Sequence, residues 1–305
     1  MKTMQTFLKT SLLVSVLALN LGVGTAIAAS AQKTFATPAA AADALATAAR
    51  VDDEKALANI LGASWRDVLS SGDAATDKAA LADFVAGFER MNRWTAMADG
   101  SRVLHIGADN YPYPIPLVGS GDRWHFDAAA GEREVAVRRI GANELLAIDA
   151  IAVIANAEES FLEGARDGVA AGYARTIYSG DGKRDGLYWN VVVDETPSPL
   201  AALGSLIDQN AAVHDPLVVD GYAYRILQAQ GSNAEGGAKS YVKNDAMTDG
   251  FAVLATPVDY GSTGITSFMM SRDGVVYEKD LGDDTAKIAA GIQAYDPDKS
   301  WAVVE

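Results

Sequence analysis

The chain has 305 residues, of which 49% are hydrophobic, and it contains no cysteine. This hydrophobic content is typical of a globular protein and argues against disorder, while the lack of cysteine excludes disulfides, cysteine-ligated metals, thiol nucleophiles and a lipoprotein anchor. The formal net charge of −15 argues against nucleic acid as a partner, because nucleic acid is bound through clustered basic side chains.

Residues 1–29 have the pattern of a secretory signal peptide. Lys2 and Lys9 precede an apolar run over 11–23, and Ala26-Ile27-Ala28 forms an A-x-A cleavage site. The run is shorter than the roughly 20 residues that span a bilayer. An uncleaved membrane anchor is the alternative. We therefore expect a periplasmic or secreted protein that is soluble, with no membrane partner, after cleavage.

Helices are predicted first in the part that follows, over 38–51, 53–61 and 77–88. Thr37 before Pro38 is a typical helix start, Gly62 is a typical stop, and Asp77 is the predicted N-cap of the third helix. Strands are then predicted over 101–106 and 123–127. Between them, the alternating prolines of 111–118 favour a polyproline-like segment or an edge strand. This order predicts an α+β domain over residues 30–135.

A second α+β domain is predicted over residues 136–305. Asn143 is the predicted N-cap of a long helix, which carries an apolar stripe that includes Ile151 and Phe161. A short helix over 200–209 and several strands follow. Asp273-Gly274 predicts a hairpin whose primed turn requires positive φ at both central residues. The second part is therefore predicted to be a long helix followed by a small antiparallel sheet.

Ordered stretches along most of the chain resemble one family of exported bacterial proteins, domain of unknown function 2950 (DUF2950). They are 111–118 (YPYPIPLV), 124–131 (WHFDAAAG), 138–145 (RRIGANEL), 185–189 (DGLYW), 221–231 (GYAYRILQAQG), 260–268 (YGSTGITSF) and 273–282 (DGVVYEKDLG). This resemblance implies no established activity and no catalytic residue.

Two looser resemblances concern the fold. Asn143-Glu144 before a long helix, a Gly-Asp loop, the strand 221–226 and the hairpin at Asp273 are similar to the globular part of type IV pilins and pseudopilins. In the first part, the element order is similar to that of cystatin and nuclear-transport-factor-like domains. Together they imply an α+β fold in two parts, the second of them pilin-like.

Metal and cofactor motifs are weak. The three histidines are dispersed and form no H-x-x-x-H pair, which favours structural or surface roles over metal binding. Asp181 and Asp185 match two ligand positions of a calcium loop, but Lys183 and Val192 occupy two others, so a solvated loop is favoured over a calcium site. No phosphate-binding motif is present, and we predict no cofactor.

Five aromatic residues are candidates for a recognition surface, because aromatic side chains with a polar tip are enriched at interfaces. Core packing is the alternative and is favoured. The residues are Tyr111, Tyr113, Trp124, Tyr188 and Trp189.

The first functional hypothesis is a non-enzymatic binding or assembly role in the bacterial cell envelope, with an envelope protein as partner. Because no nucleophile elbow or other catalytic constellation is present, catalysis is disfavoured. One alternative is a hydrolase with His125 or His214 beside an acid in a cleft between the two parts. Another is a small-molecule carrier with a pocket lined by residues such as Trp65, Phe84 and Phe88.

Overall fold

The computed structural model describes residues 32–62, 65–70, 72–163, 171–189, 197–201 and 216–304. It contains helices and antiparallel sheets, and this confirms the predicted α+β class. The predicted signal peptide, most of the predicted helix over 200–209 and His214 lie outside the described residues.

Helices α1–α4 open the first part: α1 Pro38–Arg50, α2 Glu54–Leu61, α3 Trp65–Leu69 and α4 Ala74–Arg90. The predicted start and stop signals are confirmed at Thr37, whose hydroxyl accepts from Ala40 N, and at Gly62, which ends α2 with a φ of 90°. The predicted N-cap Asp77 is wrong. The side chain of Asp73 caps α4 by accepting from the backbone N–H of Thr76, so the helix begins directly after the turn at Gly72.

An antiparallel sheet follows, with the order β1-β2-β4-β5 and β3 paired to β2. Its strands are β1 Asn92–Ala96, β2 Arg102–Ile106, β3 Tyr111–Pro112, β4 Leu117–Ser120 and β5 Arg123–Phe126. The proline-rich segment supplies the short strand β3 at the sheet's margin, because proline cannot donate to a ladder on both sides. Helices α1, α2 and α4 cover the sheet, and the first core includes Leu45, Leu57, Phe84, Leu104 and Phe126.

Helix α5, Ala128–Glu163, is continuous over 36 residues and links the two parts. Asn143 was predicted to be its N-cap and instead lies in its interior. The helix begins after Asp127, whose side chain accepts from Ala130 N at 3.0 Å as an N-cap does. The predicted boundary between residues 135 and 136 falls inside α5. Val135 packs on the first core and Phe161 belongs to the second.

By length and composition alone α5 could also cross a membrane, since one 18-residue window has a mean hydropathy of 1.5. The core helix of a globular domain meets the same criterion. Here one face of α5 packs against the sheet of the second part, where the side chains of Ala147, Ile151 and Ile154 are completely buried, while 28% of the window is buried in all.

The second part is built on a six-stranded antiparallel sheet with the order β15-β14-β13-β12-β7-β6. Its strands are β6 Leu217–Val219, β7 Tyr222–Leu227, β12 Ala252–Pro257, β13 Thr266–Ser271, β14 Val276–Asp280 and β15 Ala302–Val303. Between β7 and β12, β8 Ala229–Gln230 pairs with β9 Lys239–Ser240, and β10 Val242–Lys243 pairs with β11 Ala246–Met247. Helix α5 lies on β7, β12 and β13, and the short helix α6, Thr285–Gly291, packs against β12. The predicted arrangement of a long helix before an antiparallel sheet is therefore confirmed.

The predicted hairpin joins β13 to β14, although its turn is not the primed type. Gly274 has a φ of 78°, whereas Asp273 is not among the residues with positive φ. The N–H of Gly274 bonds to the carbonyl of Ser271 at 3.0 Å. The single left-handed residue thus follows the turn, as in hairpins with a glycine bulge.

Candidate functional site

An apolar pocket of about 420 Å³ opens in the first part, between α1, α3, α4 and the segment from the end of β2 to residue 114. The first two helices provide aliphatic side chains, those of Leu45 and Ala49 from α1 and of Leu69 from α3. Leu45 and Ala49 are one turn apart on α1 and are almost completely buried. This wall is part of the first core.

Helix α4 forms a second wall because its lining residues recur every three or four positions and so share one face. They are Asp77, Ala80, Leu81, Phe84 and Gly87, with Asp83 beside them. The Phe84 ring centroid lies 4.9 Å from that of Tyr113 and 6.1 Å from that of Phe88. Phe84 therefore ties the α4 wall to the opposite one.

A close approach between α4 and β2 sets one end of the pocket. The N–H of Gly107 donates to the carbonyl oxygens of Gly87 and Met91, each at 3.0 Å. A Cβ on Gly87 would lie 3.3 Å from Ile106 Cδ1, so a side chain there would require Ile106 to shift by a few tenths of an ångström. Gly107 itself has a φ of 72°, which favours glycine.

Tyr113 places a polar atom in this apolar wall. The residue is buried, with a relative exposure of 7%. Burial, followed by the nearby Tyr111, raises the pKa of the Tyr113 hydroxyl well above its ordinary range, so the group stays a neutral hydrogen-bonding phenol. Within the described residues, nothing hydrogen-bonds to this hydroxyl. A ligand in the pocket could therefore satisfy it.

The charged groups that line the pocket are acidic. Asp77, Asp83 and Asp109 are among its lining residues, and no lysine or arginine is found among the described residues there. Asp77 accepts a hydrogen bond from the hydroxyl of Ser70 at 2.8 Å. Asp83 and Asp109 are exposed. The rim of the pocket is thus negative.

Tyr111, at the edge of the pocket, is held by a basic residue on α5. The guanidinium of Arg138 lies 5.3 Å from the Tyr111 ring centroid and donates to the Tyr111 hydroxyl at 3.0 Å. It also donates to the carbonyl of Pro112 and to the carboxylate of Glu134, both at 2.8 Å. Arg138 is therefore engaged in fixing the proline-rich segment.

The five aromatic residues of the predicted recognition surface are not brought together. Tyr113 and Trp124 are buried in the first core, Tyr188 and Trp189 are buried in the second, and Tyr111 alone of the five is exposed, at 51%. The indole N–H of Trp124 is satisfied internally, by the carbonyl of Gly121 at 2.9 Å. Four of these side chains therefore pack in cores, and only Tyr111 and Tyr113 meet at the pocket.

The weaker candidates also lie apart from one another. His105 is on β2 with Nδ1 at 3.2 Å from the Asn110 carbonyl, and His125 is on β5. In the calcium-loop candidate, Asp185 accepts from Gly180 N at 2.9 Å, while Asp181 is exposed. No group of three or more metal-binding side chains is found within the part of the chain that the structure describes.

Only part of the pocket could be anticipated from sequence. Phe84 lines it as the carrier hypothesis expected, whereas Trp65 lines a neighbouring groove and Phe88 is not among the lining residues. Asp109 was missed, and Tyr113 was named only as part of a recognition surface, because both join the pocket through the pairing of β2 with β3. The sequence signal that could have identified the α4 wall was the spacing of Asp77, Ala80 and Phe84 along one helix face.

The fold and the pocket define an α+β protein with two cores joined by one helix and an apolar cavity in the first. A family described as protein of unknown function (DUF2950) matches residues 32–304, and the chain belongs to this family. Neither a curated protein nor a solved structure matches the chain.

Proposed function

We propose that this protein is a non-enzymatic binding protein that holds a small, largely apolar molecule in the pocket of its first part. The observation that carries the proposal is a cavity of about 420 Å³ that combines apolar walls with the unpartnered hydroxyl of Tyr113. Ligand sites in proteins fall in this size range and pair apolar walls with a few polar groups that orient the ligand.

Two physical terms would contribute to the affinity. Apolar ligand surface that leaves water for these walls contributes about 25 cal/mol per Å². Tyr113 is nine-tenths buried as a residue and its hydroxyl has no hydrogen-bond partner among the described residues, so this hydroxyl can bond to a polar group of the ligand. The first term gives general affinity for apolar molecules, and the second gives orientation.

The proposal is tested by titrating the neutral dye N-phenylnaphthylamine into the mature protein and following its fluorescence. We expect saturable binding with one site per chain. Ala80→Phe should abolish it, because Ala80 is an exposed α4 residue that lines the pocket. Ala79→Phe is the matched control, since Ala79 is also exposed on α4 but is not among the lining residues. Failure of the dye to bind, or equal binding to both variants, would overturn the proposal.

We further propose that the protein acts outside the cytoplasm, in the periplasm or after secretion. The support is the charge and hydropathy pattern of residues 1–29. Mass spectrometry of the exported protein should find Ala29 or Ser30 at the N-terminus. An intact Met1 in the membrane fraction would contradict this.

A pilin-like assembly role is the second candidate function. It is favoured by the packing of the long helix α5 on three strands of an antiparallel sheet, an arrangement similar to the globular part of type IV pilins. The partner would be an envelope protein. Crosslinking in intact cells followed by mass spectrometry should then capture one such protein reproducibly, whereas recovery of the chain alone would count against assembly.

A further inference from the structure

We infer that the ligand of the first-part pocket is a hydrophobic amine, an apolar body that carries one positive charge. This inference rests on the proposed binding function and names the class of ligand. The juxtaposition that carries it is an apolar cavity with an acidic rim and a wall residue, Tyr113, that is nine-tenths buried and whose hydroxyl has no hydrogen-bond partner among the described residues.

Two carboxylates lie near the same end of the pocket. Asp83 is one turn of α4 before Gly87, and the carbonyl of Gly87 accepts from Gly107 N at 3.0 Å. Asp109 follows in the turn that Gly107 opens. Within the described residues, neither the Asp83 nor the Asp109 side chain has an ion pair or a hydrogen bond. Both carboxylates can therefore act on a charged ligand.

Among the described residues of the pocket wall, no basic side chain offsets the negative charge of Asp83 and Asp109. No lysine or arginine is among the described residues that line the cavity. The guanidinium of Arg138, on the Tyr111 side, is paired with Glu134 at 2.8 Å. An anionic ligand would meet two uncompensated carboxylates, whereas a cationic one would be attracted by both.

The aromatic walls favour the same charge. Phe84 and Tyr113 both line the cavity with their rings. An ammonium group near such ring faces is attracted by their negative quadrupole. The Tyr113 oxygen can also accept a hydrogen bond from the ammonium. Apolar contacts would thus hold the body of the ligand, while the carboxylates and rings select its charge.

Three probes with the same body test the inference: phenylbutylamine, phenylbutanol and phenylbutyrate, titrated calorimetrically into the mature protein at neutral pH. We expect the amine to bind about tenfold more tightly than the alcohol, because partly exposed charge pairs each add modestly to affinity, and the carboxylate to bind most weakly. The advantage of the amine should decrease as salt is added.

The double variant Asp83→Asn/Asp109→Asn should remove the advantage of the amine over the alcohol. Asp43→Asn, an exposed carboxylate on α1 that does not line the pocket, is the control and should preserve the order of affinities. Equal affinity of the amine and the alcohol for the parent protein would overturn the charge selection while leaving the pocket as a binding site. If neither these probes nor the neutral dye bind, the proposed function fails as well.

Discussion

The carboxylate of Glu144 accepts a hydrogen bond from the backbone N–H of Thr266 at 2.9 Å, although 122 positions separate the two residues in the chain. The same oxygen accepts from Ile265 N at 2.9 Å. Next to it, the side-chain amide of Asn143 donates to the carbonyl of Thr263 at 2.9 Å. The middle of α5 therefore holds the loop between β12 and β13.

Replacing Glu144 by alanine should lower the free energy of unfolding by about 1–3 kcal/mol, because two backbone donors lose their charged acceptor. Urea denaturation followed by circular dichroism measures this change. Glu132→Ala is the control: Glu132 is exposed on the same helix and has no side-chain partner among the described residues, so its effect should stay within about 0.5 kcal/mol. Equal effects of the two substitutions would show that the contact to Thr266 does not stabilise the loop.

Two glycines of α5 should respond to alanine in opposite directions. A Cβ on Gly141 would meet nothing within 4 Å, so Gly141→Ala should stabilise the protein by about 0.5–1 kcal/mol through helix propensity. A Cβ on Gly131 would lie 2.8 Å from Ile115 Cγ1, and Gly131→Ala should destabilise it by about 1–3 kcal/mol. Thermal unfolding of both variants gives the comparison. A destabilising Gly141→Ala would contradict a continuous helix.

Stability should decrease in alkaline solution. Burial, with the neighbouring Tyr295 and Asp273, raises the pKa of Tyr241 to about 12 from its ordinary value of 10.0. The folded state therefore keeps a proton that the unfolded state releases. Its contribution to stability is complete below pH 10 and is lost as the pH rises from 10 towards 12, by up to about 1.4 kcal/mol per pH unit.

Tyr241→Phe removes this titrating group and should lose less stability than the parent over that pH range. Urea unfolding at a series of pH values measures the difference, with the values at pH 7 as the reference for any change in packing. Parallel pH dependences of the parent and the variant would show that Tyr241 does not cause the loss of stability in alkaline solution.

Helix α6 should depend on Arg225. This β7 side chain donates to the carbonyl oxygens of Ala289 and Ile292, at the C-terminal end of α6. Arg225→Met removes a charged donor from two carbonyls, so we expect a loss of about 1–3 kcal/mol and faster amide hydrogen exchange over 285–292.

The control for α6 is Arg272→Met. Arg272 forms a surface ion pair with Glu159 at 3.2 Å, and such exposed pairs contribute less than about 1 kcal/mol. Its loss should leave exchange in α6 unchanged. If Arg225→Met also leaves it unchanged, the contacts of Arg225 do not hold α6 in place.

The elements that the sequence predicts well are those whose signals are local. Thr37 and Gly62 bound their helices through contacts within a few residues, and the apolar spacing of Ile151 and Phe161 marks the buried face of α5. Helix caps and helix faces depend on neighbours three or four positions away, so a single sequence contains the information.

The start of α5 and most of the pocket depend instead on residues distant in the chain. Asn143 is a residue type that is common at N-caps, but its side-chain amide donates to the carbonyl of Thr263 instead. Gly131 lies inside the helix at the point where Ile115 approaches the backbone closely. Likewise Tyr113 reaches the cavity because its N–H bonds to Leu104 on β2. Such pairings are set by tertiary contacts, which no short window of sequence contains.

The length of helix α5 restricts how the two parts can move relative to each other. With a rise of 1.5 Å per residue, its 36 residues form a rod about 54 Å long whose two ends are embedded in different cores. The two parts are thus joined by a continuous helix and not by a flexible linker. Any rotation of one part relative to the other therefore requires α5 to rotate or bend with it. Cleavage of the chain within 128–163 would also remove α5 side chains that pack on one of the two cores.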